Sequence, residues 1–215
     1  MSDMITKSDF NGSPHLGVFC LVNDNIAFVP FSISKKLEHL MQEELKVDLV
    51  KTSVAGTPLI GIFACMNNSK IIVPDVLEKE ELKVFEDNVR EVIVLKEKYT
   101  ALGNLIALNN HGAICSKYLR GVESIPAKAI RVAGSDLIGS AVYANNAGFL
   151  AHREASEKEL KEIEAVLKVK GDAGTANFGD PFIKSGIIGN KHGLIVGRNT
   201  SGPEMQRIDE VFMLK

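Results

Sequence analysis

The sequence lacks several features that would each point to a particular class of protein. Its three cysteines, Cys20, Cys65 and Cys115, form no C-x-x-C pair, which argues against a zinc ribbon or a thioredoxin-like centre and predicts buried, reduced thiols. Lys and Arg number 25 and Asp and Glu 27, a net charge of −2, so no basic surplus is available to bind nucleic acid by charge alone. We therefore expect no DNA partner.

The sequence also lacks long apolar runs. No stretch approaches the roughly 20 apolar residues of a membrane-spanning helix, and the first ten residues carry charges and no apolar run, unlike a signal peptide. These absences predict a cytoplasmic protein without a membrane segment. Hydrophobic residues make up 45% and charged residues 24% of the 215 positions, the usage of a folded globular chain rather than a disordered one.

Sites for metals and cofactors are not indicated either. The five histidines show no spacing typical of metal ligands. Gly171, Gly174 and Gly179 cluster, but no Gly-Lys-Ser or Gly-Lys-Thr follows them, which argues against a phosphate-binding loop. The sequence predicts no cofactor and no metal.

What the chain has instead is an internal repeat. Short apolar runs end at an asparagine, turn and restart five times, and the asparagines are separated by 44, 42, 36 and 45 residues. In the first four copies a glycine stands six residues before the asparagine, but in the fifth this position is Lys184. The five anchors are Asn23, Asn67, Asn109, Asn145 and Asn190. A repeat of this length is the signature of a stacked or ring-shaped architecture.

Each copy predicts the order strand–strand–helix–strand. Two apolar runs around an Asn-centred turn indicate a β-hairpin, because Asn tolerates turn conformations, and nearly continuous apolar runs such as Leu16–Val22 indicate strands buried on both faces. Helical spacing follows in most copies, with a capping box at Ser156–Glu159, and is poorest in the third, where Gly121 and Pro126 interrupt it. The predicted third strands are Val47–Val54, Val89–Lys96, Lys128–Ala133 and Leu167–Lys170.

The terminal copies carry the same apolar strands as the middle ones, which disfavours an open solenoid with polar caps. We therefore expect an α+β propeller, one domain over residues 1–215, with five pseudo-symmetric repeats closed around an axis. The approximate repeat boundaries are 13–54, 55–98, 99–134, 135–176 and 177–215. The alternative fold is an ordinary two-domain α+β protein.

The sequence resembles the family of archaeal translation initiation factor six and its eukaryotic counterpart from about Gly12 to Leu214. The resemblance rests on four short motifs in the same order and spacing, Gly12–Gly17, Thr100–Asn104, Gly174–Asn177 and Thr200–Glu204. The chain lacks the C-terminal tail of eukaryotic members, which favours an archaeal origin. Two residues depart from the family pattern: Lys184 stands at the glycine position of the repeat, and Met205 stands where Leu is usual.

The resemblance implies the pentein propeller fold and a protein that is not an enzyme. It implies binding to the large ribosomal subunit on the face that meets the small subunit, beside ribosomal proteins and the sarcin–ricin loop, so that premature subunit association is prevented. By resemblance Asn104 lies on the docking face, and we extend this prediction to Asn109 and Asn145. We expect a monomer when free, about 50 Å across, and contacts mostly to ribosomal proteins, since an acidic chain would be repelled by bare rRNA.

Two alternatives to this function remain open. The first is a propeller that binds some other protein. The second is an enzyme acting on guanidino groups, since related propellers use a Cys nucleophile late in the chain. That chemistry needs a thiolate beside a base, and no cysteine follows Cys115.

Overall fold

The computed structural model describes residues 5–121 and 125–212 and shows five three-stranded sheets. In every sheet the first strand of a hairpin runs antiparallel to the middle strand, and a third strand pairs with the middle strand in parallel. The first four sheets are β2 (Leu21–Val22), β3 (Ile26–Pro30) and β4 (Asp48–Thr52); β5 (Cys65–Met66), β6 (Lys70–Pro74) and β7 (Glu91–Leu95); β8 (Ile106–Leu108), β9 (Ala113–Cys115) and β10 (Ala127–Ala129); β11 (Val142–Ala144), β12 (Phe149–His152) and β13 (Gly171–Gly174).

The fifth sheet joins the two ends of the chain. Its hairpin is β14 (Ile187–Gly189) with β15 (Leu194–Gly197), and its third strand is β1 (Ile5–Ser8). Strand β1 pairs in parallel with β15, from Ile5 opposite Leu194 to Ser8 opposite Gly197. The first residues of the described chain thereby complete the last sheet, a pairing that the sequence did not suggest.

A one-turn helix precedes each hairpin, and in the first four units it lies where the sequence predicted one continuous strand. The five are α1 (Leu16–Phe19), α3 (Ile60–Phe63), α5 (Leu102–Leu105), α6 (Ile138–Ala141) and α8 (Ile183–Gly186). The prediction was wrong because an apolar run buried on all sides has the same appearance whether it is helical or extended. Each short helix packs against the next, and α8 packs against both α6 and α1, so the ring is closed.

Four longer helices surround the sheets, at the positions that helical spacing predicted: α2 (Lys35–Leu45), α4 (Lys79–Asn88), α7 (Glu157–Leu167) and α9 (Gly202–Phe212). Ser34 caps α2 by accepting a hydrogen bond from the Leu37 N–H, and the predicted capping box of Ser156 and Glu159 begins α7. Helix α7 reaches Leu167 and the strand begins at Gly171. The predicted strand Leu167–Lys170 was therefore wrong.

The longer helices bind neighbouring units together. The buried face of α2, with Leu37 and Met41, packs against Ile188 and Ile195 of the fifth hairpin. Phe85 of α4 likewise packs against Phe28 of the first unit, with ring centroids 4.8 Å apart. The third unit has no such helix among its described residues, and Leu119 and Ile125 fill the corresponding space. Each core cluster thus contains residues of two units, so neighbouring units share their cores.

Candidate functional site

The closed ring has two chemically different ends. In each unit the one-turn helix comes before the first hairpin strand and the anchor asparagine comes after it. Because this strand has only two or three residues, the two features lie roughly 10 Å apart, on opposite ends of the ring. We call them the short-helix end and the asparagine end.

At the asparagine end the anchor side chains form a chain of hydrogen bonds around the axis. The Nδ2 of Asn190 donates to the Asn23 carbonyl at 3.0 Å, Asn23 to Asn67 at 3.0 Å, Asn67 to Asn109 at 3.0 Å, and Asn109 to Asn145 at 3.2 Å. Each Oδ1 of Asn23, Asn67, Asn109 and Asn145 accepts two backbone N–H groups of its own turn. These asparagines therefore shape the turn and join neighbouring units.

The hydrogen-bonded ring is interrupted between the fourth and fifth units. Among the described residues the buried Nδ2 of Asn145 has no hydrogen-bond partner. A second, outer ring of hydrogen bonds is interrupted at the same place. The Asn110 N–H donates to the Asn146 Oδ1 at 2.9 Å, but the next position is Lys191, whose side chain carries no acceptor. The Tyr143 hydroxyl spans this seam instead, donating to the Gly189 carbonyl at 2.9 Å.

At the short-helix end the backbones approach too closely for side chains. A Cβ on Gly103 would lie 2.1 Å from the Gly61 carbonyl oxygen, and one on Gly61 would lie 2.0 Å from the Gly17 carbonyl oxygen. The same holds for Gly139 against Gly103 and for Gly17 against the Lys184 carbonyl. The repeated glycine of the sequence is therefore required by helix packing, because each carbonyl occupies the place of the next unit's side chain.

Lys184, which replaces the fifth of these glycines, directs its side chain across the axis. Its Nζ donates to the carbonyls of Gly61 at 2.8 Å and Gly103 at 2.6 Å. These belong to the second and third units, the two that are not neighbours of the fifth in a ring of five. Part of the residue is exposed, but its ammonium end is enclosed, and this burial lowers the pKa of Lys184 to about 8.

Between the two ends the axis holds a cavity of about 80 Å³, lined by Cys20, Cys65, Tyr143, Lys184 and the anchor asparagines, among others. Such a volume is large enough for water. Burial raises the pKa of Cys20 and Cys65 to about 12 and that of Cys115 to about 11. The thiols are therefore protonated at neutral pH and are poor nucleophiles.

Exposed apolar side chains concentrate at the short-helix end. Leu137 and Phe182 each immediately precede a one-turn helix, with 43% and 40% of their surface exposed. The middle strand of each sheet ends at the short-helix end. The loops that follow the middle strands β3, β6 and β9 expose Phe31, Val76 and Tyr118 there. The asparagine end, in contrast, presents polar residues after each anchor, namely Asp24, Asn68, Asn110, Asn146 and Lys191.

The most exposed of these side chains, Phe178, is held out by its own loop. Phe178 is 84% exposed at φ 65°, a left-handed conformation that is uncommon for a bulky residue. Glu204, at the start of α9, accepts hydrogen bonds from the N–H groups of Phe178 at 3.1 Å and Gly179 at 2.8 Å. The carboxylate thus fixes the loop while the ring of Phe178 faces solvent, a pattern associated with binding sites.

The environment of Glu204 shows how firmly this loop is held. Burial alone would raise the pKa of Glu204, but hydrogen bonds from Thr175, Ser201 and Gly179 outweigh it and lower the pKa to about 2. Glu81 plays the same part in the second unit, accepting from the N–H groups of Ala55 and Gly56. Sequence reasoning missed Phe178, although a phenylalanine between Asn177 and Gly179 was a visible signal.

The structure does not bring the three predicted binding residues together. Asn104 lies in α5 at the short-helix end and is partly exposed. Asn109 and Asn145 lie at the asparagine end. The Asn109 side chain is buried and donates to both Asn145 and Leu167, the latter at 2.8 Å. These bonds give Asn109 a structural role.

Comparison with solved structures identifies the class of fold. A dimethylarginine dimethylaminohydrolase variant, crystallised as an adduct with S-methyl-L-thiocitrulline, matches with a TM-score of 0.53 and 12% identity, over 78% of this chain and 69% of its own. With the five sheets around one axis, this likeness makes the chain a pentein-type α/β propeller, as predicted from the repeat.

Sequence comparison identifies the family. The eIF-6 family model matches residues 5–211. Among curated relatives, translation initiation factor 6 of Pyrobaculum arsenaticum is 35% identical, over 94% of this chain and 95% of its own length. Its counterpart from Staphylothermus marinus is 34% identical, over 95% of each chain. The chain belongs to the eIF-6 family, which confirms the resemblance that the motifs indicated.

Among residues 5–121 and 125–212, no helix is long and apolar enough to cross a membrane. Within the same ranges, no three His, Cys, Asp or Glu side chains are grouped as metal ligands would be.

Proposed function

We propose that this cytoplasmic protein binds the large ribosomal subunit at its intersubunit face. Its bulk at that face sterically blocks premature association with the small subunit. The observation that carries the proposal is membership of the eIF-6 family over nearly the whole chain, with relatives named translation initiation factor 6. Steric blocking needs a rigid body and a complementary surface and requires no catalytic group.

We assign docking to the short-helix end. Exposed apolar side chains gathered on one surface are typical of a protein–protein interface, and Phe178, Leu137 and Phe182 supply them. Asn104, whose docking role the family resemblance implied, lies at the same end. The partners we propose are ribosomal proteins near the sarcin–ricin loop. A docking role for Asn109 and Asn145 remains a prediction, and it requires a second contact at the asparagine end.

An enzymatic function and binding to an unrelated protein are the alternatives. This chain shares its fold with dimethylarginine dimethylaminohydrolase. However, its buried thiols are protonated at neutral pH and so supply no thiolate nucleophile. Membership of a family of initiation factors supports the ribosomal partner over an unrelated one.

The test is sedimentation of the purified protein with isolated archaeal ribosomal subunits. We expect co-migration with large subunits, absence from small subunits, and a lower yield of joined ribosomes when the protein is added first. Protein that stays at the top of the gradient with large subunits present would refute the proposal.

A matched pair of variants tests the assigned end. Asn104→Arg and His111→Arg each add one guanidinium to a solvent-accessible position, the first at the short-helix end and the second at the asparagine end. We expect Asn104→Arg to weaken binding at least tenfold, about 1.4 kcal/mol, since an unpaired charge is costly to bury in an interface. His111→Arg should bind as the unmodified chain does. An equal loss in both, or a loss confined to His111→Arg, would contradict the assignment.

Phe178→Ala tests the apolar anchor at this end. Large aromatic side chains commonly dominate binding energy at interfaces, so we expect roughly tenfold weaker binding, about 1.4 kcal/mol. The melting temperature should stay within about 1 °C, since the Phe178 ring is 84% exposed. A variant that binds normally would remove Phe178 from the docking surface.

A further inference from the structure

The carbonyl oxygens at the short-helix end form an electronegative ring around the axis. The packing of the one-turn helices places four of them, from Lys184, Gly17, Gly61 and Gly103, where the next unit's side chain would stand. Carbonyl oxygens are acceptors, and an ammonium group can donate hydrogen bonds to several of them at once.

One cationic group already occupies this position. The Lys184 Nζ lies 2.8 Å from the Gly61 oxygen and 2.6 Å from the Gly103 oxygen, both within the range of charge-assisted hydrogen bonds. Its side chain comes from the fifth unit and reaches the two units across the axis. The ammonium group therefore bonds to two of the four oxygens, those of the second and third units.

The four other units show that the lysine is not needed for the backbone to close. Gly17, Gly61, Gly103 and Gly139 hold the equivalent position without a side chain. A glycine at position 184 would therefore keep the helix packing and remove only the ammonium and its stem. The Gly61 and Gly103 oxygens would then face the axial cavity, which extends from this end.

We propose that the carbonyl ring at the short-helix end is an ammonium-binding site, which this chain fills permanently with the Nζ group of its own Lys184. The site goes beyond the proposed docking function, because it lies on the axis and joins the fifth unit to the second and third. Its ligand class is an ammonium group with N–H donors, either the tethered Lys184 ammonium or a free ammonium ion.

Chemical rescue tests the proposal. Lys184→Gly removes the side chain and opens the carbonyl ring to free ions. Lys184→Met removes the ammonium but keeps an apolar side chain, which continues to fill the space inside the ring. Melting temperatures of both variants and the unmodified chain are measured at pH 7 in sodium, ammonium and tetramethylammonium chloride of equal concentration. Tetramethylammonium carries the same charge but has no N–H to donate.

We expect ammonium to raise the melting temperature of Lys184→Gly by several degrees, saturating with concentration, while sodium and tetramethylammonium do not. The unmodified chain and Lys184→Met should change by less than about 1 °C between salts. Equal responses of all three proteins, or no ammonium-specific response of Lys184→Gly, would overturn the proposal.

A second measurement covers the case in which Lys184→Gly fails to fold. The unmodified protein is treated with an amine-acylating reagent and the modified lysines are identified by mass spectrometry. Lys184 should remain unmodified under conditions in which the exposed Lys35 and Lys191 react. Acylation of Lys184 at the rate of those two lysines would refute the assignment, because an amine held in the carbonyl ring is shielded from the reagent.

Discussion

Replacing Gly103 by alanine is the most direct test of how the propeller closes. A Cβ at this position would lie 2.1 Å from the Gly61 oxygen, 2.6 Å from the Ala64 oxygen and 2.8 Å from the Ile62 oxygen. All three are backbone atoms, so no rotamer change can relieve the overlap. The neighbouring helix α3 would have to move, and through the closed ring this displacement would reach the other units.

The magnitude follows from two opposing effects. Alanine is preferred over glycine inside a helix by about 1 kcal/mol, whereas overpacking of a filled interior costs about 1–3 kcal/mol and sometimes more. Because the contacts here are with rigid backbone, we expect the upper end, a net loss of about 2 kcal/mol or more in the free energy of unfolding. For a chain of this size that lowers the melting temperature by roughly 4–8 °C.

Gly202→Ala is the matched control in the same chain. A Cβ on Gly202 meets nothing within 4 Å, and the residue begins α9, so its melting temperature should be unchanged or slightly higher. Thermal unfolding followed by circular dichroism compares the two variants. If Gly103→Ala were as stable as Gly202→Ala, the helix packing would not require glycine, and the explanation of the repeated glycine would fail.

Two further predictions concern buried polar groups. Asn109→Ala should lower the free energy of unfolding, measured in urea, by about 2–4 kcal/mol, because two backbone N–H groups and two carbonyls lose their partners. Asn145→Ala should lower it less, since the Nδ2 of Asn145 is already unpaired within the described structure. Equal losses in the two variants would contradict the interrupted ring. Glu204→Gln should lose about 3 kcal/mol at pH 7. Because the pKa of Glu204 is lower in the folded state, this stabilisation is present above the unfolded pKa of about 4.5 and disappears as pH falls towards 2, so the difference between the two proteins should shrink over that range; a constant difference would show that the carboxylate charge plays no part.

The repeat was predictable because the anchor asparagine and the glycine six residues before it have structural roles that few other residues can fill. Asparagine shapes the turn through its Oδ1 and joins the next unit through its Nδ2, and the glycine admits a neighbouring carbonyl. The asparagine recurs in all five units and its Nδ2 joins the next unit in four of them, and the glycine recurs in four units. The spacing of these residues therefore revealed the number of units, and the apolar strands of the terminal units predicted their closure into a ring.

Elements that depend on distant partners were less visible in the sequence. Strand β13, Gly171–Gly174, is half-buried and has no apolar run, and it forms because β12 offers a parallel edge. Strand β1 likewise depends on β15, almost the whole chain away. In the first four units the one-turn helices were taken for strands because they begin nearly continuous apolar runs. In each case tertiary pairing, rather than local pattern, decides the conformation.

The different chemistry of the two ends follows from the structural roles of the asparagine and the glycine. At the asparagine end the anchor side chains are consumed by the ring, and the outer positions continue it through Asn68, Asn110 and Asn146. At the short-helix end packing constrains the glycine position and the fully buried apolar residue before it, whereas the residues that precede the one-turn helices can differ between units. They do differ: Ala101, Leu137 and Phe182 occupy equivalent places. A surface that can vary without disturbing the fold is the one on which a specific interface can be built, and this is a further reason to assign docking to the short-helix end.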